Sequence, residues 1–276
     1  MSPERIVAAA KVNLALVVGP TRDDGLHELA TVMQRIDVCD RLELEPAPAL
    51  RVDGFPGDTL VRAALERLAA AAGVEPRWRV RLAKEIPVAA GLGGGSADAA
   101  AALVLANGAL ARPLPPERLQ ELGAGLGADV PFFLEPGPKL VEGAGERLTP
   151  LELPQDFWVL VALPRGVAKD STGAVYDRFD ELGGAEGFTE RRAALIEALA
   201  EVRRPRDLAG LPPNDLARAA GGSPLVGELA ETGAFRADLS GAGPAVYALF
   251  QRRADASAAA RRLRRRASSW VCPPVW

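Results

Sequence analysis

The segment Pro87-Val88-Ala89-Ala90-Gly91-Leu92-Gly93-Gly94-Gly95-Ser96-Ala97 places four glycines within five residues, just ahead of Asp98 and a run of alanines. Without Cβ atoms in the way, successive backbone N–H groups can turn into one concavity. With Ser96 as the N-cap of the following helix, the positive end of the helix dipole stands behind them. Such a turn suits a phosphate. It has no Gly-Lys-Ser/Thr ending of a Walker loop, and the third glycine of a dinucleotide fingerprint falls on Ser96. The plain alternative is a strand-to-helix turn without a ligand, which leaves the frozen backbone entropy of the glycines unexplained. Asp98 opposes the phosphate reading, because a carboxylate in the first turn repels an anion unless it faces away or meets a cation.

Three further places carry chemistry. Lys11 and Asn13 are two apart on an alternating stretch and so share a face. Val12, Leu14, Leu16 and Val18 occupy the opposite face, which is expected to be the core side; taken alone, Lys11 reads as a solvated lysine. Asp129, in Gly127-Ala128-Asp129-Val130-Pro131, reads either as a cap before proline or as a working carboxylate. Ser240-Gly241-Ala242-Gly243 reads first as a hairpin connection. Scarcity narrows the options. Of 33 basic residues only Lys11, Lys84, Lys139 and Lys169 are lysine; His27 is the single histidine, and Cys39 and Cys272 are the only cysteines. A histidine metal site, a disulfide framework and a Ser-His-Asp or Cys-His hydrolase are excluded on those counts. Carboxylates, lysine, hydroxyls and backbone amides remain.

The elements that must hold these groups follow from periodicity. Strands are expected over residues 6–18, 78–82, 132–134, 157–163, 237–239 and 246–250, with a strand pair turning near Cys39-Asp40, where helix competes over residues 29–36. Helices are expected over residues 60–72, 97–106, 116–123, 191–202 and 254–267, and loops over 19–25 and 205–215. Residues 135–138 and 148–150 read as punctuation. With 276 residues, two domains are expected, 1–150 and 151–276, of mixed α+β class. A composition 48% apolar and 25% charged, with net charge −3, describes a soluble globular chain with no field for nucleic acid. No apolar run is long enough to cross a membrane, and residues 1–14 do not read as a secretory signal, so a cytoplasmic protein is expected. Arg261-Arg262-Leu263-Arg264-Arg265-Arg266 is expected to be a solvated helix face.

Read together, Ala10-Lys11-Val12-Asn13-Leu14, residues 91–96 and Leu239-Ser240-Gly241-Ala242-Gly243 resemble the three ordered motifs of the GHMP kinase superfamily. Asp24-Gly25-Leu26-His27-Glu28-Leu29, residues 127–133, Ser171-Thr172 and Asn214-Asp215-Leu216 are similar to the branch acting on 4-diphosphocytidyl-2-C-methyl-D-erythritol in non-mevalonate isoprenoid precursor synthesis. The resemblance implies a two-domain GHMP kinase fold with the active site in the interdomain cleft. It also implies transfer of the ATP γ-phosphoryl group to the substrate's 2-hydroxyl.

By carry-over, residues 87–97 cover the ATP phosphates, with Ser96 near Mg²⁺, and Gly241 and Gly243 form the third motif. Lys11 and Asp129 are catalytic. Asp129 accepts the hydroxyl proton or orients the nucleophile; Lys11 stabilises the alkoxide and keeps Asp129 ionised, so the two are expected within hydrogen-bond reach or one water. Asn13 and His27 meet the cytidine end, where Thr172 and Tyr176 close on it. Two positions depart from the pattern. Leu26 stands where relatives carry Tyr, so one wall of the cytosine stack is aliphatic, and Thr59 stands where many have Asn beside adenine. The competing readings are a homoserine- or mevalonate-type GHMP kinase and a catalytically silent nucleotide-binding protein.

Overall fold

The computed structural model describes residues 4–57, 60–167 and 170–276. Thr59 lies outside the described residues. Along the chain come β1 (Glu4–Thr21), β2 (His27–Pro46), β3 (Arg51–Asp53), α1 (Leu60–Ala72), β4 (Trp78–Ala83), α2 (Gly94–Gly108), α3 (Pro116–Ala124), α4 (Val130–Leu134), β5 (Lys139–Gly143) and β6 (Arg147–Pro150). There follow β7 (Trp158–Pro164), α5 (Thr172–Glu181), α6 (Phe188–Glu201), a 3-10 turn at Pro205–Gly210, α7 (Leu216–Ala219) and α8 (Pro224–Ala230). The last elements are β8 (Arg236–Leu239), β9 (Val246–Phe250), α9 (Arg253–Leu263), β10 (Ala267–Cys272) and β11 (Pro274–Val275).

The chain forms two compact units, each discontinuous in sequence. The first takes residues up to Ala10, Val38–Val88 and Gly93–Pro136; the second takes Lys11–Asp37, Ala89–Leu92 and Gly137–Trp276. Residues 11–37, 89–92 and 137–150, which a division at 150 assigns to the first domain, thus group with the second unit.

In the first unit the C-terminal half of β2 pairs antiparallel with β4, from Arg41↔Ala83 to Pro46↔Trp78, and β3 lies parallel to β4. Leu42, Leu44, Val80 and Leu82 of this sheet share one core with Val61, Leu65 and Leu68 of α1. α1 ends where expected. Gly73 takes φ +67°, and the Gly73 and Val74 amides close the last turn on Ala70 and Ala69. α2 is covered nearly all round because Ala97 and residues 99–102 are too small to hold α1 and α4 away. In the second unit a four-stranded antiparallel sheet runs in the order β10-β7-β9-β8. Leu160, Val246 and Phe250 on it pack with Leu225 and Leu229 of α8 and Ala259 and Leu263 of α9. The N-terminal half of β2 pairs with β5, and β5 with β6.

Several expectations need correction. β2 runs unbroken through Cys39-Asp40, because the Asp40 carboxylate is consumed inside the protein rather than in a turn. β1 continues through Gly19 and Pro20 to Thr21, where the turn-forming residue types predict a loop. Residues 132–134 are helical, part of α4, since Pro131 in the first turn favours a helix start and a three-residue apolar run has no period of its own. Residues 148–150, read as punctuation, belong to β6. α9 stops at Leu263, and the residues from Ala267 onward pair with β7 as β10. The arginines of residues 261–266 are exposed as expected, with Arg266 paired to Glu228. No helix among the described residues is long and apolar enough to cross a membrane.

Candidate active site

The glycine segment turns sharply before α2 begins. Gly91 takes φ +82° and Gly93 φ +71°, and Gly93, not Ser96, is the N-cap. Ser96 is already the third helical residue, because the first helical bond runs from the Ala97 amide to the Gly93 carbonyl at 2.9 Å. The amides of Gly94, Gly95 and Ser96 therefore have no carbonyl within their own helix. Ahead of the helix, residues 89–92 lie against β1 and the Ser240 turn: the Lys11 amide bonds the Leu92 carbonyl at 2.9 Å, and the Ala245 amide bonds the Ala90 carbonyl at 3.1 Å. The Ser240 hydroxyl donates to the Gly91 carbonyl at 2.9 Å. The Ser240–Pro244 stretch does connect β8 and β9, as the plain hairpin reading expects, but it also carries this second contact. Asn214 fixes it from behind, donating to the Leu239 carbonyl at 3.0 Å and the Gly241 carbonyl at 2.7 Å.

Lys11 is not on a solvated face. It is 4% exposed and Asn13 2%, as buried as the apolar side chains of the opposite face. Alternation identified the two faces of β1 but could not show that both are covered: Leu16 and Val18 pack with Val175, Phe179 and Leu216, while on the other face Lys11 and Asn13 lie beside Thr31 of the neighbouring strand β2 and under Gly241. Lys11 Nζ donates to Asn13 Oδ1 at 2.7 Å, Asn13 Nδ2 to Thr31 Oγ1 at 2.8 Å, and Thr31 Oγ1 to the Ala15 carbonyl at 2.6 Å. A Cβ on Gly241 would lie 3.6 Å from Lys11 Nζ, so the first and third motifs meet at this ammonium. Thr31, which the sequence offers no reason to single out, ends the relay. Thr31→Val will leave the Asn13 amide without its buried acceptor and destabilise the fold by about 1–3 kcal/mol. Chemical denaturation of the two proteins measures it, and an unchanged midpoint refutes the relay.

His27 opens β2, and its Nε2 meets Asp180 Oδ1 at 2.9 Å and Thr21 Oγ1 at 3.3 Å. Its ring centroid lies 4.7 Å from Tyr176 and 6.1 Å from Phe179. Thr172, Tyr176 and Asp180 are spaced by four on α5 and so share one face, and Tyr176 and Asp180 stand beside His27. That spacing was the available signal for Asp180. Ser171 caps α5 by accepting from the Ala174 amide at 3.1 Å. Leu26 is 52% exposed and offers its aliphatic face to the surroundings.

Asp129 belongs to the first unit, at the start of α4, with φ −86° and ψ −14° and no cap hydrogen bond from its side chain. The same unit resolves the difficulty of Asp98. Asp98 is 1% exposed and its Oδ2 meets Lys84 Nζ at 2.6 Å, while Lys84 also pairs with Asp40. Asp40 Oδ1 accepts the Glu85 and Ile86 amides at 2.5 and 2.8 Å. Burial pushes the Asp98 carboxyl up to about 7, with Lys84 opposing the shift and Asp40 adding to it. Burial also works against the Lys84 ammonium, yet its two carboxylate partners outweigh that and hold its pKa above the ordinary value.

Comparison with known proteins agrees with this layout. Residues 59–137 match the GHMP kinases N terminal domain and residues 223–269 the GHMP kinases C terminal domain. A 4-diphosphocytidyl-2-C-methyl-D-erythritol kinase of Geobacter sulfurreducens is 40% identical, over 97% of this chain and 96% of the relative. A crystal structure of a 4-(cytidine 5'-diphospho)-2C-methyl-D-erythritol kinase superposes with a TM-score of 0.80 at 32% identity, covering 99% of this chain and 100% of that one. The homoserine kinase of Cytophaga hutchinsonii shares the fold alone, with a TM-score of 0.76 at 17% identity over 100% of this chain and 96% of that one. With likeness at that level running the whole length of the chain, and the glycine turn, the Lys11–Asn13 pair and the Ser240 turn joined in space, the chain belongs to the 4-diphosphocytidyl-2-C-methyl-D-erythritol kinase family of the GHMP kinases.

Proposed function

We propose that the chain transfers the γ-phosphoryl group of ATP to the 2-hydroxyl of 4-diphosphocytidyl-2-C-methyl-D-erythritol, as a cytoplasmic enzyme of isoprenoid precursor synthesis. The observation that carries this reading is the buried Lys11–Asn13 pair held beside Gly241, in a chain 40% identical to a kinase named for that substrate. In this reading Asp129 takes or orients the proton of the acceptor hydroxyl, whose oxygen forms the new bond to the γ-phosphorus as ADP leaves. Lys11 stabilises the alkoxide charge, and Asn13 fixes the ammonium that does so. The amides following Gly93 and the Ser96 hydroxyl receive the phosphates. Asn13, His27, Thr172 and Tyr176 receive the cytidine end; the ring of Tyr176 supplies the aromatic contact that Leu26 does not.

Among the described residues no group of three or more His, Cys, Asp or Glu side chains could form a metal cage. The Ser96 hydroxyl would hold Mg²⁺ together with phosphate oxygens and water. When bound, Mg²⁺ neutralises phosphate charge.

The test is acceptor choice. ADP release with 4-diphosphocytidyl-2-C-methyl-D-erythritol is expected to exceed that with homoserine or mevalonate by at least about 10³-fold in kcat/KM, the discrimination available to a site built to hydrogen-bond one substrate. Comparable rates with homoserine or mevalonate refute the substrate assignment.

A further inference from the structure

The ion group beneath the glycine turn has no role in the mechanism above, and its geometry gives it one. Gly94 and Asp98 are four residues apart on α2 and so lie on one helical face, one turn apart. Lys84, just beyond β4, spans that turn. Its Nζ pairs with Asp98 Oδ2 at 2.6 Å, and a Cβ on Gly94 would come within 3.4 Å of the same nitrogen and 2.9 Å of Ile86 Cγ2. Asp40 is fully buried in β2; it takes the other side of Lys84 and the amides of Glu85 and Ile86. Asp98 Oδ1 is buried without a hydrogen-bond partner, so its carboxylate is held in place through the Lys84 bond rather than by an indifferent polar shell. Lys84 is itself largely covered, its side chain 15% exposed.

One ammonium thus ties three segments together at the foot of the phosphate turn: the middle of β2, the end of β4 and the first turn and a half of α2. Removing it leaves two buried carboxylates facing each other there, and either their repulsion or a captured proton must rearrange the helix start. We propose that Lys84, Asp98 and Asp40 form a positioning triad that sets the Gly93–Ser96 turn for nucleotide phosphates, Lys84 acting through the two carboxylates and not by touching the nucleotide. The proposal rests on the nucleotide-binding part of the reading above and adds the residues that hold that site.

Calorimetric titration with ADP and with a non-hydrolysable ATP analogue tests it, alongside the thermal midpoint of each protein. Lys84→Met is expected to weaken both nucleotides by about tenfold or more, the scale of an uncompensated charge within several ångström of an anion site. The double variant Lys84→Met/Asp98→Asn is expected to recover most of that loss, because it restores the charge sum beneath the helix and supplies an amide that can donate to Asp40. Asp98→Asn alone weakens the tie from Lys84 to α2 without leaving an unpaired buried charge, so it is expected to weaken both nucleotides severalfold, less than Lys84→Met; this arm keeps the test decisive if Lys84→Met does not fold. A double variant as weak as Lys84→Met overturns the triad in favour of direct contact by Lys84. Natural affinity in Lys84→Met, or in Asp98→Asn, overturns it as well. A natural protein that binds neither nucleotide refutes the kinase reading itself, an outcome distinct from all of these.

Discussion

Asp129→Asn will lower turnover by about 10²–10⁴-fold, the range of a positioned proton acceptor, while leaving ADP affinity where it was. The substitution is close to a pure removal of charge. Asp129 stands at the N-cap position of α4 without using its side chain as a cap, and Pro131 in the first turn sets the helix start. Asn is as good a capping residue as Asp, so the capping of α4 is preserved by the change. Its packing on α2 and the burial of Val130 and Phe132 are equally untouched. A loss of turnover with an unmoved thermal midpoint and unmoved nucleotide affinity is therefore chemical in origin. The same experiment separates an enzyme from a silent nucleotide-binding protein. The natural chain must release ADP in step with phosphorylated acceptor, and the variant must bind without doing so. Undiminished turnover in the variant removes Asp129 from the mechanism.

The parts of this site that were legible in sequence are those where a residue type has few other uses. Four glycines in five residues have little use outside a turn whose backbone must approach something, and the structure shows that approach. A helix broken by Gly73 is equally plain, because the αL closing residue leaves a mark in the sequence. Legibility failed where one residue type serves two ends. Lys11 has the same letter whether it is solvated or buried against Asn13 Oδ1, and only the second layer over β1 decides which. Asp40 reads as a turn residue, yet in β2 it accepts two amides and an ammonium that come from a segment some forty-five positions away. Ser96 is a good N-cap by type, but Gly93 can adopt φ +71° and starts the helix three residues earlier. Long-range partners, not local propensity, made each of these choices. That is why sequence assigns no role to Thr31 or Lys84, whose partners Asn13, Asp98 and Asp40 lie 18, 14 and 44 positions distant, while the glycines could be read locally.

Gly91→Ala will damage the protein more than any other glycine substitution in the segment, and the reason is collision with backbone. A Cβ at Gly91 would lie 2.2 Å from the Ser240 carbonyl oxygen and 3.2 Å from the Gly243 amide nitrogen and carbonyl oxygen, at φ +82°. No rotamer can relieve contact with main-chain atoms. The Ser240 turn cannot retreat cheaply either, for it is pinned by the Ser240 hydroxyl on Gly91, by the Ala245 amide on Ala90 and by Asn214 on Gly241. Left-handed backbone with a side chain alone costs about 1–3 kcal/mol. Displacement of the turn comes on top of it, so the thermal midpoint should fall by at least about 5 °C. Nucleotide affinity should fall with it, because Gly91 stands two residues before the N-cap whose following amides are proposed to receive phosphate. Two controls isolate the collision. Gly25→Ala meets nothing within 4 Å at φ +80° and should show the backbone cost alone, while Gly227→Ala, in α8 with open space around it, should be neutral or stabilising by up to about 1 kcal/mol. If Gly91→Ala proves no worse than Gly25→Ala, the second and third glycine turns are not in contact in solution. The docking of residues 89–92 on the Ser240 turn must then be abandoned.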